Sequence, residues 1–382
     1  MSDDSRTSGP PVLVVADFTG NQGKAERHVG PLARVAAPTM VCVNPPSAID
    51  GVSVETPPTV GFRPLDLLVL TLFAVIESVR GEYAAVCSFS LFPYGCTALV
   101  AGRLAGVPTH LGVIGGDIDV HATSRYGPVV RWLMSRFAVV SVPGAQSRAE
   151  LEALGVTPGT VAVLTNPIRP AAFPATPPTA DRLIDLLWVG RFSAEKDPLQ
   201  FVDVVAEVAA AADGEGVRAV MVGDGPLRDA VESRIRARSA DASVELPGWV
   251  DDPGRYYRDA KVYVLTSDRE GLPLTLVEAM ASGVAPVVPA VGNVREVAVD
   301  GMSAVVVPDG GTAALSRAAT ELLRDEDRRL DLAESATAVR DTCSYEAAAV
   351  DWRRILAAAG VDECGPAETT SDSSRPIRET AR

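Results

Sequence analysis

Short runs of Val, Ile and Leu, each bounded by turn residues, recur along most of this chain and alternate with stretches of helical periodicity. Val12–Asp17 is the first such run; a glycine-containing turn follows, and a helix opens near Lys24. Further strands are predicted over Ala84–Phe89, Thr109–Ile114, Ala138–Val142 and Val161–Leu164. Between them, helices are predicted over Thr97–Ala105, closed by Gly106 and Pro108, and over Ser147–Leu154, stopped by Gly155. Strands that are apolar throughout, separated by helices, are what a parallel sheet covered on both faces requires. The alternation therefore predicts an α/β fold.

The pattern breaks at Pro167, Pro170, Pro174, Pro177 and Pro178, which read as a stiff linker. It restarts at Asp185–Val189 and continues through Arg218–Val222, Val244–Leu246, Val262–Thr266, Ala285–Pro289 and Ala304–Val307. We read a first domain over residues 11–170, a linker over 171–182 and a second domain over 183–344. An amphipathic helix over 345–360 is expected to pack back on the first domain, and polar tails at 1–10 and 365–382 to be disordered. Two successive doubly wound domains place a ligand between the carboxyl ends of their strands. The apolar run Leu65–Val79 is interrupted by Asp66, Thr71 and Glu77. It falls short of the roughly 20 apolar residues of a membrane span. We expect a packed helix there in preference to a membrane-surface patch.

Composition narrows the chemistry. A length of 382 residues suits two cores. Net charge −14 and 5% aromatic residues argue against a nucleic-acid partner, since a polyanion is repelled at long range. An anionic ligand must be small and met by local cations. Five cysteines without a C-x-x-C pair, and no signal-peptide pattern at the start, read as reduced thiols in a cytoplasmic protein.

The most informative segment runs from Ser267 to Met280. A strand ends at Thr266, a Gly271-Leu272-Pro273 turn follows, and a helix begins near Pro273, a residue tolerated at the first helical position. The unpaired amides of such a helix start suit a phosphate. Glu270 precedes the helix and Glu278 lies about one turn inside it, so the two carboxylates can accept hydrogen bonds from hydroxyls at opposite ends of one ligand. Spacing alone equally fits a loop charge and a solvated helix residue. The Gly20-Asn21-Gln22-Gly23 turn is likewise compatible with an ordinary strand–helix connection.

Glu270 and Glu278 bracket seven residues, and the stretch resembles the Glu-x7-Glu motif of retaining glycosyltransferases of family 4. Trp188–Lys196, Val222-Gly223-Asp224-Gly225-Pro226, Gly248-Trp249-Val250 and Ala281–Val288 resemble the same family in the same order. The resemblance implies a GT-B fold, two Rossmann-like domains facing each other across a cleft. It implies that Arg191 and Lys196 hold the donor diphosphate, which fits the need for fixed cations beside a departing diphosphate. It makes Glu270 the group that hydrogen-bonds the donor sugar and Glu278 the one that grips the ribose. Gly271, Leu272, Leu274 and Thr275 would complete the phosphate cradle, Val250 would lie beside the base, and Gly23 would approach the phosphates.

The loop Ile114–His121 resembles the Gly-x-Asp loop of the family's acceptor domain. Many relatives carry His or Arg where this chain has Ile114, which leaves Asp117 and His121 as the available catalytic side chains. Asp117-x-Asp119 formally matches a metal-binding pair, but the resemblance implies no metal and no cofactor beyond the nucleotide-sugar co-substrate. It also implies a glycan, lipid-linked or small acceptor, and is compatible with peripheral contact at the inner membrane face. A nucleotide-sugar hydrolase or epimerase of the same fold, and a catalytically degenerate binding subunit, remain open alternatives.

Overall fold

The computed structural model describes residues 9–114, 117–169, 172–173, 176–212, 216–238 and 244–361. Gly115 and Gly116 of the acceptor-domain loop lie outside the described residues, as do Pro170, Ala171, Pro174 and Ala175 of the linker. So do residues 1–8 and 362–382, which take in most of the first expected tail and all of the second, and the side chain of Asp119.

The first sheet comprises β1 (Pro11–Val15), β2 (Ala37–Val41), β3 (Ser53–Glu55), β4 (Ala85–Phe89), β5 (Thr109–Gly112), β6 (Val139–Val142) and β7 (Thr160–Val163), in the order β3-β2-β1-β4-β5-β6-β7. The second comprises β8 (Ile184–Val189), β9 (Ala219–Val222), β10 (Val244–Gly248), β11 (Ala260–Val264), β12 (Ala285–Pro289) and β13 (Val305–Val307), in the order β10-β9-β8-β11-β12-β13. The strand pairs are parallel. In each sheet the strand order turns back beside the first strand, β1 or β8, and that reversal opens a crevice at the carboxyl ends.

Helices α1 (Gln22–Val29), α2 (Arg63–Arg80), α3 (Cys96–Ala105), α4 (Gly127–Met134) and α5 (Ala145–Ala153) belong to the first domain. The second carries α6 (Pro198–Ala211), α7 (Arg228–Arg238), α8 (Gly254–Asp259), α9 (Leu274–Ala281), α10 (Thr312–Arg324), α11 (Glu326–Ala336) and α12 (Val339–Thr342). Alternate residues of each strand enter opposite cores. Val12 and Val14 pack with α1, whereas Leu13 and Val15 pack with α2 and α3. In the second domain Leu186 and Trp188 face α6, α7 and α10, and Leu187 faces α8 and α9.

A final helix, α13 (Tyr345–Ala358), returns to the first domain. Its Trp352, Ile355 and Leu356 are buried with Val12 and Val14. Asp351 accepts hydrogen bonds from the amide (2.9 Å) and hydroxyl (2.6 Å) of Thr165. The domains also meet at α5, where Asn293 donates to Ser147 Oγ (2.7 Å) and accepts from the Ser147 amide (3.3 Å). The Ala145 amide donates to Glu296 beside it (2.8 Å).

The apolar run Leu65–Val79 forms a helix, α2, but packs on only one side, through Leu70, Ala74 and Ser78, while its opposite side stands exposed. Apolar residues occupy both sides, so periodicity could not choose between them. No helix among the described residues is long and apolar enough to cross a membrane. Cys42, Cys87 and Cys343 are buried free thiols and Cys96 is half-buried.

Candidate active site

The carboxyl ends of β8, β9 and β11 build one wall of the interdomain cleft. Beyond β8 the chain turns at Gly190, runs through Arg191 and makes the short helical turn Ala194–Lys196. Thr266, two residues past the end of β11, fixes that turn: its hydroxyl accepts from Trp188 Nε1 (2.9 Å) and lies 3.0 and 2.9 Å from the carbonyls of Lys196 and Asp197. The Asp197 side chain caps α6 by accepting from the Gln200 amide (3.1 Å). Lys196 is thereby aimed at Glu270, with Nζ 2.6 Å from Oε1. The turn after β9 comes close enough that a Cβ on Gly223, at φ +142°, would stand 1.8 Å from the Gly190 carbonyl oxygen. Only glycine permits that approach.

The Glu270 side chain is 7% exposed and also accepts from Ser267 Oγ (2.7 Å). Its backbone is pressed against Gly292, at φ +51°, where a Cβ would lie 1.9 Å from the Glu270 carbonyl oxygen. Behind it, α9 begins at Leu274 after Pro273, and its first amides precede the helix's own ladder. Two buried tyrosines anchor this helix from below. Tyr263 shares a hydrogen bond with Thr275 (2.8 Å), and Tyr257 donates to Glu278 Oε2 (3.0 Å). Burial pushes the Glu278 carboxyl up to about 7, against the opposing pull of Arg27, the Tyr257 hydrogen bond and Arg169.

Two cavities adjoin these groups. The first, about 520 Å³, is lined by Arg191, Lys196, Val250, Leu272, Leu274, Thr275 and Glu278, with Gly23 on the opposite side. The second, about 880 Å³, is lined by Gly271 and by Ile114 and Ile118 of the first domain. Glu270, Leu272, Leu274 and Arg27 line both. Ten of the twelve residues singled out from the sequence thus meet around one crevice.

The other two stand apart from both linings. Asp117 is 2% exposed and accepts hydrogen bonds from the Leu91 amide (3.2 Å), Ser90 Oγ (3.2 Å) and the Ile114 amide (3.3 Å). Burial raises its pKa, and these three bonds work against the rise. It ties the cavity wall together from behind. His121 pairs through Nδ1 with the Tyr126 hydroxyl (2.8 Å) and packs edge-on against Phe92.

Sequence reasoning missed four residues here. Arg27 projects from α1 into both cavities, and its buried Nε has no hydrogen-bond partner among the described residues. Arg169 lines the first cavity and pairs with Glu26 (3.6 Å). Trp249, 67% exposed, stands beside Val250 in the same lining. Asn293 holds the Gly271 carbonyl (3.1 Å) as well as Ser147. Arg27 lies four residues after Gly23, one helical turn along the same side, a signal available in the sequence.

The wall described above coincides with known sequence families. The profile of the glycosyl transferases group 1 matches residues 174–339, and that of a glycosyl transferase 4-like domain matches residues 11–167. Alpha-D-kanosaminyltransferase of Streptomyces kanamyceticus is 30% identical over 153 residues, 40% of this chain and 39% of the relative. The GalNAc-alpha-(1->4)-GalNAc-alpha-(1->3)-diNAcBac-PP-undecaprenol alpha-1,4-N-acetyl-D-galactosaminyltransferase of Campylobacter jejuni is 27% identical over 176 residues, 45% of this chain and 47% of the relative. The chain thus aligns with under half the length of either curated relative. The structure of Anabaena Alr3699/HepE in complex with UDP and glucose superposes with a TM-score of 0.75 at 16% identity, over 91% of this chain and 99% of that one, which establishes a common GT-B fold. The two profile matches leave only residues 1–10, 168–173 and 340–382 uncovered. The chain belongs to the glycosyl transferases group 1, with a glycosyl transferase 4-like domain preceding the group 1 domain.

Proposed function

We propose that this protein transfers a sugar from a nucleoside diphosphate sugar in the first cavity to an acceptor hydroxyl entering through the second, with retention at the anomeric carbon. The observation that carries the reading is the position of Glu270, which lines both cavities and is held there by Lys196. A sugar whose hydroxyls bond to Glu270 would sit where donor and acceptor spaces join. Arg191 and Lys196 would neutralise the diphosphate as its charge grows, helped by the amides that open α9. Glu278 would accept from the ribose hydroxyls and Val250 would lie beside the base. Attack by the acceptor on the face the diphosphate leaves needs no enzymic nucleophile. A closed cleft keeps water from the donor. No metal is required by this scheme, since the cations that face the diphosphate are side chains.

Binding is tested first by thermal shift with UDP, other nucleoside diphosphates and their sugars. The Anabaena neighbour holds UDP and glucose, so UDP and UDP-glucose head the panel. A ligand at a hundred times its Kd stabilises the folded state by about 2.7 kcal/mol. If no nucleotide raises Tm, the reading falls. Product analysis then separates transfer from its rivals: free sugar or an epimerised donor without acceptor would replace transfer by hydrolysis or epimerisation, and binding without turnover would leave a degenerate subunit.

A further inference from the structure

Among the described residues twenty large apolar side chains stand exposed, and fourteen of them fall between Val60 and Trp132. Nine of these fourteen stand on α2, α3 and α4. Strand register places Leu13 beside Val86, Ser88 beside Leu111, and Leu111 beside Val140, all on one face of the sheet. That face is covered by α2 through Leu70 and Ala74, by α3 through Ala98 and Ala101, and by α4 through Val130 and Met134. The outer surface of this helical layer is where the exposed residues lie. Leu65, Leu68, Leu72, Ile76 and Val79 follow helical spacing down α2, between 47% and 56% exposed. Val100 and Leu104 continue the surface on α3, and Val129 and Trp132 on α4. An apolar surface of this extent marks a contact with something else.

Charge indicates what that is. The chain carries a net charge of −14, yet no Asp or Glu occurs from Val120 to Ala149, a stretch holding four arginines. Arg63, Arg80, Arg103, Arg125, Arg131 and Arg136 lie on or beside the helical layer, and none of them forms an ion pair among the described residues. Elsewhere at least eleven arginines among the described residues are engaged in ion pairs. Arg136 lies over the exposed Trp132 ring, 4.5 Å from its centroid, a cationic and aromatic pair suited to a polar–apolar boundary.

We infer that the outer face of α2, α3 and α4 docks this protein on an anionic lipid surface, with the arginines at headgroup level and the leucines below them. A second copy of the chain fits less well, because a two-fold contact would set the same unpaired arginines against each other. The face also reaches the second cavity: Ile118 and Thr123 line that cavity, while Val120 between them is 45% exposed. Docking would therefore bring the cavity mouth to the lipid boundary and admit an acceptor anchored there. That last step rests on the proposed transfer; docking does not.

The test is co-sedimentation of the full chain with mixed phosphatidylglycerol–phosphatidylcholine vesicles and with phosphatidylcholine vesicles alone. Binding is expected to the mixed vesicles, at least about tenfold tighter than to phosphatidylcholine, and to weaken with salt. Leu68→Ser/Leu72→Ser/Ile76→Ser should lose at least about tenfold on mixed vesicles. Arg125→Gln/Arg131→Gln/Arg136→Gln should lose the preference for phosphatidylglycerol. The substituted residues are exposed apart from the half-buried Arg131, and an unchanged nucleotide thermal shift reports that each variant is folded. Equal binding of the wild type to both vesicle types, or of both variants and the wild type, overturns the inference. So does a dimer seen by light scattering that the serine variant dissolves, which would make a second copy the occupant. Loss of nucleotide binding with vesicle binding intact would instead strike the transferase reading.

Discussion

Lys196 and Glu270 lie 74 residues apart in sequence, and Lys196 Nζ approaches Glu270 Oε1 to 2.6 Å. The cation proposed for the diphosphate and the carboxylate proposed for the sugar therefore orient each other before a donor arrives. Two flexible side chains reach their working positions in advance, and that ordering need not be repeated when the ligand binds.

Removing either partner should end transfer. Lys196→Ala and Glu270→Ala are each expected to lower kcat by about 10²–10³-fold, about 3–4 kcal/mol of transition-state stabilisation. Circular dichroism should show the wild-type fold. Sugar transfer within a few-fold of wild type in either variant would remove both residues from the mechanism.

Glu278 should make both stability and nucleotide affinity depend on pH. Burial raises its pKa from 4.5 to about 7, so between those values the folded chain holds a proton that the unfolded chain has released. Its contribution to stability accordingly falls as pH rises through that window. Glu278→Gln does not titrate, and its Tm relative to wild type should climb across the same window. Ribose hydroxyls need the ionised carboxylate as acceptor, so UDP affinity measured by calorimetry should weaken as pH drops below 7 in the wild type and stay flat in the variant.

The contact between Asn293 and Ser147 should govern how often the cleft opens. Asn293→Ala leaves the buried Ser147 amide and the Gly271 carbonyl each without this partner, a loss of about 1–3 kcal/mol. The expected outcome is a raised KM for donor with faster proteolysis at the linker, while kcat changes less. Unchanged proteolysis together with unchanged KM would make the contact incidental.

At Gly223 the backbone leaves no room for a side chain. Gly223→Ala must relieve both a positive φ and a collision with the Gly190 carbonyl, at a cost of about 2 kcal/mol or more. We expect a lower Tm and weakened nucleotide binding together, because Gly190 and Gly223 line the same cavity.

Asp117 and His121 should separate cleanly from the reaction. His121→Gln is expected to retain transfer within about twofold, as for a substitution clear of the site. Asp117→Asn should lower Tm through weakened bonds to Ser90, Leu91 and Ile114, with kcat falling far less than in the Glu270 variant. A His121 variant with abolished turnover would return that residue to the catalytic set.

Much of the architecture could be read from the chain because parallel strands covered on both sides are apolar at nearly every position. Val12, Val14, Leu13 and Val15 announce β1 whichever face is considered. β2 and β3 escaped the reading for the opposite reason: one contains Pro38, and the other is a three-residue edge strand, half-exposed and polar. Glu270, Glu278, Arg191 and Lys196 were legible through local motifs. Arg169 and Asn293 were not, since each matters only through a residue of the other domain or a distant loop, whereas Arg27 left a local signal one helical turn after Gly23. Asp117 carried a motif signal, but its geometry is that of a brace.

The return of α13 to the first sheet has a consequence for biosynthesis. Trp352, Ile355 and Leu356 complete the hydrophobic interior around Val12 and Val14, so the part of the chain made earliest cannot seal its core until the ribosome has passed residue 356. The intervening unit, residues 184–336, has all its strands and helices by then and can consolidate first. During translation the nascent amino-terminal half must wait partly open, and chaperone dependence should concentrate there.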